Sequence, residues 1–174
     1  HEQNSVLGLA NKLVVKKVDL LIHSYYDINY NGVNKKYLPN PRFEEASIKT
    51  KIYKKINKQI LITSGTNGSK VINEISIELA KRLKEYNFLL VTGKKYYDEY
   101  KYINYPNLQI IPSTKNLIQL IAKSEIVISR AGATTISEIL GTKTKAIYIP
   151  SPNVTNNHQF KNTKFIKENK LGIV

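Results

Sequence analysis

Short stretches that are apolar at nearly every position alternate along this chain with stretches of helical periodicity, and few folds accommodate that alternation. Leu20-Leu21-Ile22, Ile60-Leu61-Ile62, Phe88-Leu89-Leu90-Val91, Leu108 to Ile111, Ile126-Val127-Ile128 and Ala146 to Ile149 predict buried strands. Between them, Ile72, Ile75, Leu79 and Leu83 mark one helix face, and Val6, Leu9, Ala10, Leu13 and Val14 mark another. Strands apolar on both faces and joined through helices make a parallel sheet covered on each side, so the expected class is α/β. In such sheets ligands bind beyond the carboxyl ends of the strands. Every candidate motif of this chain falls at such an end.

The chain divides near its first quarter. Leu38-Pro39-Asn40-Pro41 interrupts regular helix, and the polar, lysine-rich stretch from Phe43 to Lys58 predicts helix after it. Residues 1–41 read as the end of one domain and 42–174 as a second. His1 in place of an initiator methionine, and Leu171-Gly172-Ile173-Val174 as a strand beginning after a helix C-cap glycine, suggest an excised piece.

Two strand-to-helix turns carry the chemistry. In Ser129-Arg130-Ala131-Gly132-Ala133-Thr134-Thr135-Ile136-Ser137-Glu138, small residues separate an apolar run from the helical residues Ile136, Ile139 and Leu140. Such a turn lets phosphates approach bare backbone N–H groups at a helix N-terminus, where the dipole favours negative charge. Glu138, one turn on, is placed to accept hydrogen bonds from hydroxyls, and that combination suggests a nucleotide. Plainer readings stay open: Thr135 to Glu138 fits a capping box, and Arg130 either holds a phosphate or braces the turn. Gly65, Thr66, Asn67 and Gly68, between Ser64 and Ser69, suit a loop wrapped around a sugar or phosphate. The same loop also reads as an ordinary turn capped by Ser69 or Asn67. Asn156-Asn157-His158-Gln159 offers amides and an imidazole that read sugar hydroxyls or simply open a helix. Asn4, in His1-Glu2-Gln3-Asn4, is either the N-cap of the first helix or a group facing an interdomain cleft.

Charge and composition narrow the classes. With no cysteine there are no disulfides or thiolate metal sites, and His1, His23 and His158 are too scattered for a zinc cluster. No apolar run approaches the ~18 residues that cross a bilayer. The net charge of +14 invites a nucleic-acid reading, but the lysines are dispersed along the chain and most read as solvated background. The remainder suits anionic lipid headgroups or a pyrophosphate-bearing substrate. Lys94 to Tyr105, where lysine and tyrosine interleave, is the best single-strand-binding candidate; a helix and loop with exposed tyrosines is the favoured reading there.

Taken together, these residues resemble the MurG family of bacterial transferases, which add N-acetylglucosamine to the lipid-linked muramyl-pentapeptide precursor of peptidoglycan. The resemblance rests on His1-Glu2-Gln3-Asn4 with Gly8 to Lys12, the Asn40-Pro41 junction, Gly65 to Ser69 leading to Val71-Ile72-Asn73-Glu74, Ser129 to Glu138, and His158-Gln159 with Asn162. It implies two Rossmann-like domains facing each other across a cleft, the GT-B arrangement. The C-terminal domain holds UDP-N-acetylglucosamine; the N-terminal one holds the undecaprenyl-linked acceptor and touches the membrane. By this resemblance Glu138 takes the ribose hydroxyls, and Thr66 with the backbone near Ala133 and Thr134 faces the pyrophosphate. Asn4 and Gln159 contact the amino sugar with His158 nearby, and the segment around Ser113 and Thr114 borders the uracil.

The family's loop usually reads Gly-Gly-Ser-Gln-Gly-Ala where this chain has Ser64 to Ser69, and an aromatic often stands where Ser113 does. Arg42 follows Pro41 directly, without the family's intervening apolar residue, which leaves Arg42 outside the expected donor site. The general base is expected upstream of His1, no metal or cofactor is called for, and the enzyme is expected at the cytoplasmic face of the membrane as a peripheral protein. A UDP-sugar-dependent lipid glucosyltransferase of the same architecture is the near alternative. A basic module binding nucleic acid or anionic membrane is the distant one.

Overall fold

The structure, a computed structural model, describes residues 1–25, 28 and 30–174, with Thr155 through its backbone alone. Five parallel strands form the main sheet: β3 (Gln59–Thr63), β4 (Asn87–Val91), β5 (Leu108–Ile111), β6 (Ile126–Ser129) and β7 (Lys145–Tyr148), in the order β5-β4-β3-β6-β7. From β3 the chain builds outward through β4 and β5, then returns past β3 to place β6 and β7 on its other side. The direction of winding therefore reverses between β3 and β6, where Thr63 lies beside Ser129. Crevices for ligands open at such a reversal.

Because side chains alternate along a strand, apolar residues at consecutive positions feed two separate cores. Leu61, Leu89, Val127 and Ala146 pack with Ile121, Ile136, Ile139 and Ile166, which come from α5 (Leu117–Lys123), α6 (Ala133–Thr142) and α7 (His158–Glu168). Ile60, Ile62, Phe88 and Leu90 pack on the opposite face with Ile72 and Ala80 of α3 (Lys70–Arg82). Helix α3 meets three of its four expected positions: Ile72, Leu79 and Leu83 join this core, whereas Ile75 faces solvent and Asn73 and Ser76 are buried instead.

Helix α2 (Pro41–Lys49) starts where Asn40 caps it, the side chain accepting from Arg42 N–H at 3.0 Å, with Pro41 in the first turn. The helix expected as far as Lys58 stops at Lys49 and is followed by a 3₁₀ turn, Thr50–Ile52. Tertiary hydrogen bonds pull the rest straight: Ile56 N–H donates to Lys123 O at 2.7 Å, and Lys58 N–H to Glu125 Oε2 at 2.8 Å. Helix α2 lies against α6 because Gly141 carries no side chain there. A Cβ at Gly141 would stand 2.4 Å from Phe43 O and 2.8 Å from Ala46 Cβ.

The first segment folds around Leu7, Val15 and Leu21. Its helix α1 (Leu9–Val14) is short and capped by Gly8, not Asn4, and the predicted face is not buried: Leu9 and Leu13 are 66% and 73% exposed. Strand β1 (Leu21–His23) begins one residue after the expected start and pairs in parallel with β2 (Lys35–Tyr37). β2 carries no apolar run, so nothing in the residue pattern announces it. Tyr26 and Asp27, which follow β1, lie outside the described residues. In the Lys94 to Tyr105 stretch, α4 (Tyr97–Tyr100) buries Tyr100 and leaves Tyr102 exposed. At the end of the chain Ile173 does pair in parallel with Ile147 beside β7. The expected C-cap glycine is corrected, however: Lys170 takes the left-handed conformation after α7, and Gly172 packs on the Tyr148 ring.

Candidate functional site

The turns after β3 and β6 meet at the carboxyl edge of the sheet, on either side of the winding reversal. Each leads into a helix whose first position lacks a side-chain cap: Ser69 before α3 and Gly132 before α6. The N–H groups of both first turns, with the positive ends of both dipoles, are thus left to backbone and solvent, an arrangement suited to anions. Thr66 and Gly65 from one turn and Thr134 and Thr135 from the other line a cavity of about 370 Å³. Pro112, Ser113, Thr114 and Lys115, from the connection after β5, form a further wall, and Glu138 and Arg42 close it. That volume suits a nucleotide-sized ligand. A larger cavity of about 720 Å³ opens at the other end of the strands, among Ile126, Ile139, Lys145 and Ile173. Its walls are mainly aliphatic and lysine side chains, and it meets neither turn.

Glu138 is 3% exposed in the middle of α6. Its Oε1 accepts from Arg42 Nε at 2.8 Å and Nη2 at 2.6 Å, while Oε2 is buried without a hydrogen-bond partner. Burial pushes the Glu138 carboxyl above its ordinary range, and the Arg42 guanidinium opposes that shift. The capping-box reading fails because α6 begins at Ala133, so Thr135 and Glu138 are both already inside the helix. Arg42 is also paired with Glu45, which Lys49 holds at 2.5 Å. The expectation that Arg42 stands outside the site is therefore corrected; its signal was hidden because the Gly141 contact that brings α2 to α6 is a tertiary one.

The two glycines of the β3–α3 turn do different things. Gly65, at φ +83°, has open space where a Cβ would be. Gly68, at φ +75°, is pressed against the end of β4, where a Cβ would stand 2.1 Å from Thr92 O. Gly68 is a packing residue, and Asn67 is exposed beside it without lining the cavity. Ala133 is buried in the first turn of α6, behind the cavity wall.

The remaining expected residues lie outside the cavity. Arg130 is a brace: Nη1 donates to Ile149 O and Pro150 O, each at 3.2 Å, and Nη2 to Ser69 Oγ at 2.9 Å. Gln159 Oε1 accepts from Ser151 N–H at 2.9 Å and holds the β7–α7 connection, and His158 opens α7. Asn4 bonds to Glu2 and Asn162.

Residues of the opening tetrapeptide and Asn162, singled out above only for their resemblance, tie the opening segment to the site, a role the residue pattern did not assign to them. Buried Asn162 accepts from Ser5 N–H and Ser5 Oγ, both at 3.0 Å, and donates to Ala131 O at 3.2 Å. Gln3 accepts from Thr134 Oγ1 at 3.3 Å. Glu2 organises the segment by accepting from Gly8 N–H at 2.7 Å, Asn4 N–H at 2.9 Å and Asn11 Nδ2 at 2.8 Å. Burial alone pushes the Glu2 carboxyl up, but these hydrogen bonds outweigh it and hold the group below its ordinary range.

Comparison with known proteins bears on the family and the fold. The family described as "Glycosyltransferase family 28 C-terminal domain" matches residues 59–174. A curated relative from Exiguobacterium sp. (strain ATCC BAA-1283 / AT1b), a "UDP-N-acetylglucosamine--N-acetylmuramyl-(pentapeptide) pyrophosphoryl-undecaprenol N-acetylglucosamine transferase", is 36% identical over 100% of this chain and 52% of its own length. The transferase of the same name from Lactococcus lactis subsp. cremoris (strain MG1363) is 34% identical over 94% of this chain and 49% of its own. The chain thus spans about half the length of the curated relatives it matches. Among solved structures, Acinetobacter baumannii MurG superposes with a TM-score of 0.78 at 22% identity, covering 99% of this chain and 51% of that one. The glycotransferase of kitacinnamycin superposes with a TM-score of 0.55 at 15% identity, over 67% of this chain and 30% of its own. These two likenesses concern the fold, which is that of GT-B glycosyltransferases.

Proposed function

The chain belongs to glycosyltransferase family 28, and from that premise we propose that it forms the donor half of an inverting transferase moving N-acetylglucosamine from UDP-N-acetylglucosamine to a lipid-linked MurNAc-pentapeptide. One observation carries the reading most: Glu138, whose buried Oε2 has no hydrogen-bond partner, stands in the wall of a cavity flanked by two helix N-termini free of side-chain caps. Ribose presents two adjacent hydroxyls to such an acceptor. The pyrophosphate then lies one helical turn away, against the first-turn N–H groups of α6 and the Gly65–Thr66 backbone, and the base lies toward Ser113 and Thr114.

In this reading the acceptor hydroxyl attacks the anomeric carbon from the face opposite the departing UDP. Positive charge gathers on the sugar as the glycosidic bond breaks, and negative charge gathers on the pyrophosphate. Helix dipoles and backbone N–H groups aimed at the pyrophosphate stabilise that charge without reorganising. Residues 1–8, tied to α6 through Gln3 and to α7 through Asn162, bring polar groups to the side from which the acceptor approaches.

A membrane-bound acceptor calls for a surface that meets the bilayer. Among the described residues no helix is long and apolar enough to cross a membrane. Leu9, Leu13 and Val14 are exposed beside Lys12, Lys16 and Lys17, which suits peripheral contact with anionic lipid.

Calorimetric titration with UDP tests the central claim. Hydrogen bonds to a charged group contribute roughly 1.5–3 kcal/mol, so Glu138→Gln is expected to weaken UDP binding about tenfold or more. Equal affinity in the variant would remove Glu138 from the ribose site. Titration of UDP-N-acetylglucosamine against UDP-glucose separates the amino-sugar reading from a lipid glucosyltransferase.

A further inference from the structure

We propose that Arg42 is the positioning residue of this site, gripping the Glu138 carboxylate by Oε1 alone and leaving Oε2 as its free acceptor. The proposal rests on Glu138 being the ribose acceptor. An arginine and a carboxylate commonly meet fork to fork, each oxygen taking one N–H. Here both Arg42 contacts, Nε at 2.8 Å and Nη2 at 2.6 Å, converge on the single oxygen Oε1. The end-on geometry satisfies one oxygen fully and leaves the other buried and unpartnered.

Two contacts hold the Arg42 guanidinium away from Oε2. Its Nη1 is paired with Glu45, and Glu45 is held in turn by Lys49. The helix that carries it is seated on α6 at Gly141, one turn beyond Glu138. A diol needs an acceptor for both hydroxyls, and a protonated carboxyl, itself a donor, serves it less well. Removing the guanidinium leaves a buried carboxylate that takes up a proton more readily. The charged groups facing Glu138 are Arg42 and Glu45 from α2, with Lys49 behind them, and Lys115 from the wall after β5. Lys115 is exposed, so Arg42 is the dominant partner.

The test is calorimetric UDP binding by the chain, its Arg42→Gln, Glu138→Gln and double variants, across a pH series running from acid to alkaline. For Arg42→Gln, affinity is expected to stay within about threefold of the parent at the alkaline end and to fall at least about tenfold toward the acid end. The pH midpoint should move up by about one unit or more. In Glu138→Gln, affinity should be low and flat with pH, and adding Arg42→Gln to it should cost no more. The double variant buries no unpaired carboxylate, so this comparison stands even if Arg42→Gln alone does not fold. A loss by the same factor at every pH, or a further loss in the double variant, means Arg42 touches the ligand and overturns the proposal. An Arg42→Gln variant that matches the parent at every pH overturns it as well. Parent-like binding by Glu138→Gln would instead overturn the ribose reading on which the proposal rests.

Discussion

Replacing Gly68 by alanine and, separately, Gly65 by alanine puts the same methyl group at two points of one turn, with different consequences. Both residues have positive φ, +75° and +83°, so each alanine pays about 1–2 kcal/mol for a left-handed backbone. At Gly65 nothing stands within 4 Å of the new Cβ, and the cost ends there. At Gly68 the Cβ would be 2.1 Å from Thr92 O and 2.9 Å from the Tyr96 ring. The Tyr96 ring can swing, but Thr92 O is backbone at the end of β4 and already accepts from Asn73 Nδ2 at 3.1 Å. Forcing the turn away from it adds the cost of overpacking, about 1–3 kcal/mol. Urea unfolding followed by circular dichroism should therefore give a loss of about 2–5 kcal/mol for Gly68→Ala and about 1–2 kcal/mol for Gly65→Ala. UDP titration should reverse the ranking once folded protein is compared, because Gly65 lines the cavity and Gly68 does not. Equal destabilisation by the two variants would refute the argument that Gly68 is required by the approach of β4.

Gly141→Ala should lower the unfolding free energy by about 1–3 kcal/mol, because its methyl meets Phe43 O in the α2–α6 contact; an unchanged urea midpoint would mean that the helices separate freely. Asn162→Ala leaves Ser5 N–H and Ala131 O without their partner, and thermal unfolding should report about 2–6 kcal/mol of lost stability, from about 1–3 kcal/mol for each group left unpaired. Glu2, whose carboxyl is held below its ordinary 4.5, stabilises the fold above that pH and loses its contribution as pH falls through its lowered value. Glu2→Gln should accordingly be less stable at neutral pH and show a shallower acid limb in a pH series of urea midpoints.

The strand set was legible because a strand of a covered parallel sheet must be apolar on both faces, and Ile60-Leu61-Ile62 and Ile126-Val127-Ile128 meet that demand within a few residues. β2 was not legible, since Lys35 and Lys36 are both exposed and its pairing with β1 depends on the chain meeting itself. The helix expected over Phe43 to Lys58 failed at Lys49 for a related reason: hydrogen bonds to Lys123 and Glu125 outweighed local preference. In the site, Gly65, Thr66, Thr114, Thr134 and Glu138 were anticipated and meet around one cavity. Arg130 was left between holding a phosphate and bracing the turn, and its hydrogen bonds are those of a brace.

What the residue order determined by itself is the α/β class, the strands that build the sheet, and the two small-residue turns at its carboxyl edge. Each of these follows from periodicity or turn chemistry within about ten residues. Tertiary structure alone decided that Gly68 is a packing residue while Gly65 is open, and that Arg42, 96 positions away, holds Glu138 by one oxygen. Those outcomes depend on which backbones approach closely across the fold, and close approach is a property of the packed molecule that no local pattern of side chains encodes.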